Sequence, residues 1–452
     1  MKKSRDLIAQ SIFVGLLAAS FLSGCALPPT RPASVTRDRA FIAYWPSPAD
    51  NKQLTLAVKD NIDMQGVVTT AGSQYVANTS PPASQDAACL AIPRERKVRI
   101  VGKTNLSEFA VSPSGVNDYF GTPRNPFSRW LHKRIPGGSS SGSAVAVANG
   151  ETDVAFGTDT AGSVRVPAAC CGVVGLKTTF GLVPLRGVFP VDPHHLDTVG
   201  PIGRDVAHVA QGMDLLQKGF AARYQRAVAA KPAAKNIRIG RLYLSGTDPR
   251  VDRALDRALA EGQFRVVVLG QDFKAKWEQA TRDGNTMAAA STWLSDQHYL
   301  DKIDVRPRTK AVIILGRVLY PGPYQQALQR RAEWQRALSQ IFKKVDFIAL
   351  PTLQTPPLTI PLIGNTALLE AQMLNLQNTV AVNFAGNPAL AVPVPMNDKQ
   401  VPVTRLELVG PRLSEAQLLN AGRLVEAEHS KPDREVNSRK TRGSSTNTGT
   451  GG

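Results

Sequence analysis

The chain has 452 residues, with 54 Lys and Arg against 36 Asp and Glu, a formal charge of +18, an apolar share of 42% and four cysteines. That apolar share fills one large core or two to three small ones, which excludes a disulfide-stapled miniprotein and a chain disordered throughout. The basic balance raises nucleic acid as a partner, but no recognition motif, aromatic ladder or dense Lys/Arg stripe accompanies it, so none is expected.

Taken in chain order, the leader comes first. Lys2, Lys3 and Arg5 make a positive start, Leu7 to Phe21 is apolar apart from Gln10 and serines, and Leu22-Ser23-Gly24-Cys25 ends the run on small residues before a cysteine. The run is too short to cross a bilayer comfortably. It resembles a bacterial lipoprotein signal with its lipobox; the alternative is an anchor helix with an incidental cysteine. The resemblance implies that residues 1–24 are removed and that Cys25 becomes a lipidated N-terminus, with more than one acyl chain for stable anchoring. Ala26, where an aspartate would favour the inner membrane, points to the periplasmic face of the outer membrane in the cell envelope.

Residues 25–45, with Pro28, Pro29 and Pro32, read as a tether. Residues 430–452 turn charged and then Ser/Thr/Gly-rich, and are expected to be disordered. Setting aside the leader's net +2 and the tail's +3 leaves +13 spread over residues 25–429, most of it on the body, 46–429. A positive surface of that kind suits a protein held near anionic lipid or envelope polymers.

Within the body, Leu54–Asp60 and Val98–Gly102 read as strands, and Pro136–Ser143 is a Gly/Ser loop feeding an Ala/Val helix. Tyr324–Lys344 has helical periodicity, Phe347–Pro351 is a further strand, and Ser414 opens a helix running to Glu428. No internal repeat is present, and 219–318 is polar and irregular. Apolar strands alternating with helical patterns indicate an α/β layered architecture.

The most informative stretch is Gly137-Gly138-Ser139-Ser140-Ser141-Gly142-Ser143, followed by Asp159-Thr160-Ala161-Gly162-Ser163-Val164-Arg165. Glycines let the backbone approach a small bound group. A phosphate cradle would need the closing Lys-Ser/Thr of a P-loop or Rossmann spacing, and neither is present. A flexible linker fails because patterned apolar segments flank both loops.

These loops, together with Val58-Lys59-Asp60-Asn61, Gly102-Lys103-Thr104-Asn105, Cys171-Gly172-Val173-Val174-Gly175, Leu196-Asp197-Thr198-Val199-Gly200-Pro201 and the later Leu350-Pro351-Thr352 and Asn383-Phe384-Ala385-Gly386-Asn387-Pro388, resemble the amidase signature family. The likeness covers most of the body and is loosest over 215–345. It implies a single large α/β/α layered domain around a mixed, mostly parallel central sheet, and a serine hydrolase of amide bonds using a Ser, cis-Ser, Lys triad. By position, Ser163 matches the nucleophile, Ser139 the bridging serine after a cis peptide bond, and Lys59 the base. The oxyanion donors would be the backbone N–H groups of Thr160, Ala161, Gly162 and Ser163, with Asp159 and Arg165 holding the loop. The resemblance also implies an acyl pocket built by the C-terminal half and the loosely matching middle. The chemistry is consistent: a serine hydroxyl becomes a good nucleophile only when a neighbour takes its proton, and a second hydroxyl can relay it.

Lys59 must then be neutral although a free lysine titrates near about 10.4, so its site has to be buried. It follows Leu54, Leu56 and Val58, which suits a strand end carrying it inward. His194 and His195 are adjacent, so their side chains diverge, and no further ligand cluster accompanies them; no metal and no cofactor is expected. Cys170 and Cys171 read as core residues, Cys89 has no evident partner, and no disulfide is drawn. Ala91–Val98 and Thr404-Arg405 depart from the family pattern away from the triad, where they bear on packing.

The leading expectation is an envelope-tethered amidase that cleaves a small-molecule amide to an acid plus ammonia or an amine. A lipoprotein that keeps the fold only for binding is the alternative from another class. The glutamine-hydrolysing subunit of a tRNA amidotransferase shares the triad, but its partners are cytoplasmic, which an exported chain would not meet.

Overall fold

The computed structural model describes residues 38–48, 53–130, 132–361, 366–398 and 400–429. The leader, Cys25, most of the tether and the tail lie outside the described residues.

The N-terminal half runs β1 (Phe41–Tyr44), β2 (Thr55–Lys59), α1 (Gln74–Thr79), α2 (Ala91–Glu95), β3 (Arg99–Thr104), α3 (Ser141–Ala148), β4 (Val154–Asp159), α4 (Arg165–Cys171), β5 (Val174–Lys177), β6 (Thr198–Gly203) and α5 (Val206–Leu216). The middle adds α6 (Phe220–Ala230), β7 (Arg238–Arg241), α7 (Pro249–Glu261), β8 (Arg265–Val268), α8 (Gln271–Asp296), α9 (Pro307–Leu319) and α10 (Gly322–Ile341). The C-terminal part is β9 (Phe347–Pro351), α11 (Thr366–Leu376), α12 (Val380–Ala385), β10 (Ala389–Pro395), β11 (Val403–Val409) and α13 (Glu415–His429).

All the strands join one mixed sheet in the order β1-β3-β2-β4-β6-β5-β10-β11-β9-β7-β8. The α/β layering and the large central sheet are as expected. The parallel character foreseen for that sheet lies in two blocks, β3-β2-β4 and β9-β7-β8. Antiparallel ladders run through the centre between them. Connection length explains the division. Helices carry the chain from β2 to β3 and from β7 to β8, as parallel neighbours require, and from β3 across β2 to β4, whereas β10 and β11 are joined by a short link that suits an antiparallel pair.

One boundary moves. Residues 41–44, read as tether, form the edge strand β1, antiparallel to β3 and with Phe41 buried. Phe41-Ile42-Ala43-Tyr44 is an apolar and aromatic run that gains more from a sheet edge than from water, so it overrides the Pro-rich stretch before it.

Helices cover the sheet. α5, α7 and α13 share one buried cluster with Val206, Leu255 and Leu418. α3 and α4 form a second around Val145 and Val166, and α8, α10 and α12 a third around Trp277, Trp334 and Phe384. α3 is buried from Ser141 to Val147, which is why its sequence is small and apolar all round instead of striped. α8 buries polar Asp283, Ser291, Thr292 and Asp296 beside Trp277 and Met287, so its periodicity was illegible.

Candidate active site

β2 and β4 are parallel neighbours, so their last residues, Lys59 and Asp159, arrive at the same edge of the sheet. The loop before α3 and the loop before α4 meet there. The Gly138–Ser139 peptide is cis, as the family resemblance implied. The Ser140 amide donates to the Ser163 carbonyl at 3.2 Å, tying the two serine loops together.

Lys59, Ser139 and Ser163 are brought to this one place. Lys59 and Ser139 are fully buried, while Ser163 is half-buried and faces a cavity. Lys59 Nζ lies 2.7 Å from Ser139 Oγ and 2.7 Å from Thr158 Oγ1. Asn61 Nδ2 donates to the same Thr158 oxygen at 3.0 Å. Burial pushes the Lys59 amine down to about 7, against the opposing pull of Asp159 and Asp197. It is therefore poised to exchange a proton near neutral pH. Lys103, also buried, pairs with Asp60 at 3.0 Å and donates to the Ile62 carbonyl, holding the turn that follows Lys59.

The loop that carries Ser163 is braced from three sides. Asp159 accepts from the Gly162 amide at 2.8 Å and the Val164 amide at 3.1 Å. Thr160 Oγ1 donates to Asp197 at 2.6 Å, and Thr379 Oγ1 donates to the Ala161 carbonyl at 2.5 Å. Gly162 has φ +133°, and a Cβ there would run into the Thr379 side chain, so no other residue fits. One expected donor is thereby corrected: the Gly162 N–H is committed to Asp159, because the carboxylate caps the turn from inside. Thr160, Ala161 and Ser163 line the cavity and Gly162 does not, which leaves the first three amides as the oxyanion donors to consider.

Asp159 and Arg165 pair directly. Arg165 is fully buried and donates through Nε and Nη2 to both Asp159 oxygens at 3.1 and 3.0 Å, through Nη1 to Glu407 at 2.5 Å and the Thr379 carbonyl at 3.0 Å, and through Nη2 to Asn383. Asn383 Nδ2 in turn donates to Asp159 at 2.8 Å. Burial alone would raise the Asp159 carboxyl, but the Arg165 guanidinium, by charge and hydrogen bonding, holds it well below the usual carboxylate range. Glu407 is the weaker partner, and burial pushes it up to about 7 despite Arg165. Removing one member of such a buried ion network leaves the others uncompensated. Arg165→Met is expected to cost about 3–5 kcal/mol in urea denaturation; a loss under about 1 kcal/mol would mean the network does not hold the loop.

A cavity of about 1000 Å³ is lined by Gly138, Thr160, Ala161 and Ser163 on the sheet side. Apolar residues on three helices also line it, Ala289 on α8, Val312 and Leu315 on α9 and Leu374 on α11, beside charged groups on the same helices such as Asp283, Arg308 and Glu370. The poorly readable middle of the chain thus builds much of the pocket. Sequence reasoning gave no role to Thr158, Asn61, Asp197, Asn383, Thr379 or Glu407. Asn61, Asp197 and Asn383 sit inside the motifs already singled out and Thr158 directly precedes one of them; Thr379 and Glu407 carry no sequence signal.

A family model described as Amidase matches residues 53–419. The 2-amino-5-chloromuconic acid deaminase of Comamonas testosteroni is 34% identical over 393 residues, covering 83% of this chain and 81% of that protein. A glutamyl-tRNA(Gln) amidotransferase subunit from Halobacterium salinarum is 31% identical over 425 residues, covering 82% of this chain and 94% of that one. Among solved structures, the vestigial complex that reveals the origins of an s-triazine catabolic enzyme superposes with a TM-score of 0.73 at 28% identity, covering 83% of each chain. The corresponding glutamyl-tRNA(Gln) amidotransferase subunit from Thermotoga maritima does so with 0.69 at 26% identity, covering 86% of this chain and 87% of that one.

Proposed function

The chain belongs to the Amidase family, the amidase signature family that its motifs resemble, and on that premise we propose that it is a serine amidohydrolase cleaving a linear amide to a carboxylic acid plus ammonia or an amine. The observation that carries this reading is the buried Lys59 amine, held near 7, at 2.7 Å from Ser139 Oγ.

The neutral Lys59 amine takes the proton of Ser139, whose oxygen takes the proton of Ser163 as Ser163 Oγ adds to the amide carbon. The developing oxyanion is met by amides from the Thr160, Ala161 and Ser163 set. A single such donor contributes on the order of 3 kcal/mol to the transition state. The relay then returns its proton to the departing nitrogen, leaving an acyl group on Ser163. Water, deprotonated by the same relay, releases the acid and restores Ser163. Asp159 and Arg165 touch no reacting atom and hold the loop in which Ser163 sits.

The test is ammonia release from a panel of small amides and peptide amides by the leaderless chain, with Ser163→Ala beside it. Equal rates from both proteins would end the hydrolase reading for that panel. Glutamine belongs in the panel because several relatives are amidotransferase subunits; turnover of glutamine alone would favour that reading and a partner protein with it.

The leader supports a second element of the reading, an envelope protein anchored through acylated Cys25. Labelled palmitate should enter the full chain expressed in a bacterium and be absent from Cys25→Ala. Equal incorporation in the two would remove the anchor.

A further inference from the structure

Four carboxylates line the cavity, and each is already engaged. Glu108 accepts from Ser73 Oγ at 2.7 Å, Thr309 Oγ1 at 2.6 Å and the Arg306 amide at 3.0 Å. Asp118 takes Arg308 at 2.7 Å, Asp283 takes Arg330 at 2.9 Å, and Glu370 takes the Ser114 hydroxyl at 2.5 Å with Arg308 at 3.8 Å beyond it. The lining cations do not balance in the same way. Arg308 and Arg330 are neutralised by those acids, whereas the Arg306 side chain donates only to the neutral Gln74 Oε1 and makes no ion pair among the described residues. Its Nε is buried and has no hydrogen-bond partner. The other lining guanidinium without a carboxylate, Arg282, is exposed to solvent and keeps its water.

A buried guanidinium N–H without an acceptor is costly, and its penalty is relieved when a ligand brings one. Arginine does this best for a planar two-oxygen anion, which its fork meets bidentately. Arg306 stands at the start of α9, whose next turns carry Val312 and Leu315 along the same cavity that reaches Ser163. We propose that this cavity selects amides whose acyl or amine portion carries a carboxylate, received by Arg306, with an apolar spacer lying along α8 and α9. The inference rests on the hydrolase reading of Ser163. Glu108, the acid facing Arg306 most directly, is raised by burial, which weakens it as a competing counter-ion.

The test uses two fluorophosphonates of equal chain length, one ending in a carboxylate and the other in its methyl ester. Each is reacted with the full-length chain, and phosphonylation of Ser163 is followed by mass spectrometry. The carboxylate reagent should label Ser163 about tenfold faster or more, the range of one charge-assisted hydrogen bond. Arg306→Gln should bring the two rates close together, and Arg306→Lys should restore part of the difference. Equal rates in the unaltered chain, or a preference for the ester, overturn the proposal whatever the variants do. Labelling of Ser163 by neither reagent would instead strike the hydrolase reading on which it stands.

Discussion

Ser163→Ala is expected to lower kcat by a factor of about 10⁴ or more on any amide the unaltered chain cleaves, because the acyl intermediate can no longer form. What remains would be catalysis by binding and oxyanion donors alone. The fold should not register the change. Ser163 is half-buried at the cavity wall, and its loop is held by Asp159, Asp197 and Thr379 through other residues. The denaturation midpoint should therefore shift by no more than about 0.5 kcal/mol equivalent. Ammonia release by the alanine variant at more than about a hundredth of the normal rate would assign the nucleophile elsewhere.

Lys59→Met separates activity from stability. Loss of the base should reduce kcat/KM by about 10²–10⁴. In the unaltered chain the same amine sets the acid limb of the pH profile. With its value near 7, activity should rise through neutrality and stand at about a tenth of its plateau one pH unit below. Stability runs with the same proton. The unfolded lysine holds its proton up to about 10.4 and the folded one only below about 7, so the unfolded chain binds more protons between those values and stability rises with pH across that window. The penalty is full below about 7, where it is on the order of 4 kcal/mol, and fades toward about 10. Methionine removes it while filling similar space. The substitution also leaves Ser139 Oγ and Thr158 Oγ1 without the amine, at a cost of about 1–3 kcal/mol. The variant should thus be more stable than the parent at pH 6 and lose that advantage by pH 9. A stability difference independent of pH would mean that the folded amine titrates as an ordinary lysine, which would undo the mechanism.

The candidate triad was readable because its members lie in short segments whose composition has a local cause. Lys59 follows an apolar strand, Ser139 sits in a glycine run, and Gly162 takes a backbone conformation that excludes other residues next to Ser163. Strands such as Thr55–Lys59 and Phe347–Pro351 were legible for the same reason: runs of apolar and β-branched residues are a local signal. The 26-residue α8 was not, because it is buried on several sides and its polar residues find partners far away in the chain, as Ser291 does with Asp192 and Asp283 with Arg330. β1 was lost to the proline-rich stretch before it, since an edge strand of four residues is stabilised by a neighbour that composition does not reveal.

The layered architecture came from the residue pattern, and the proposed reaction class and three candidate catalytic positions from the resemblance that short motifs carry, all properties of local segments. Tertiary contact alone decided the rest: that Glu407 and Asn383 share Arg165 with Asp159, and that Arg306 reaches the cavity with Gln74 as its side-chain partner and no ion pair among the described residues. Those facts depend on which groups more than a hundred residues apart desolvate one another, and burial and pairing energies of that kind are set by proximity in space.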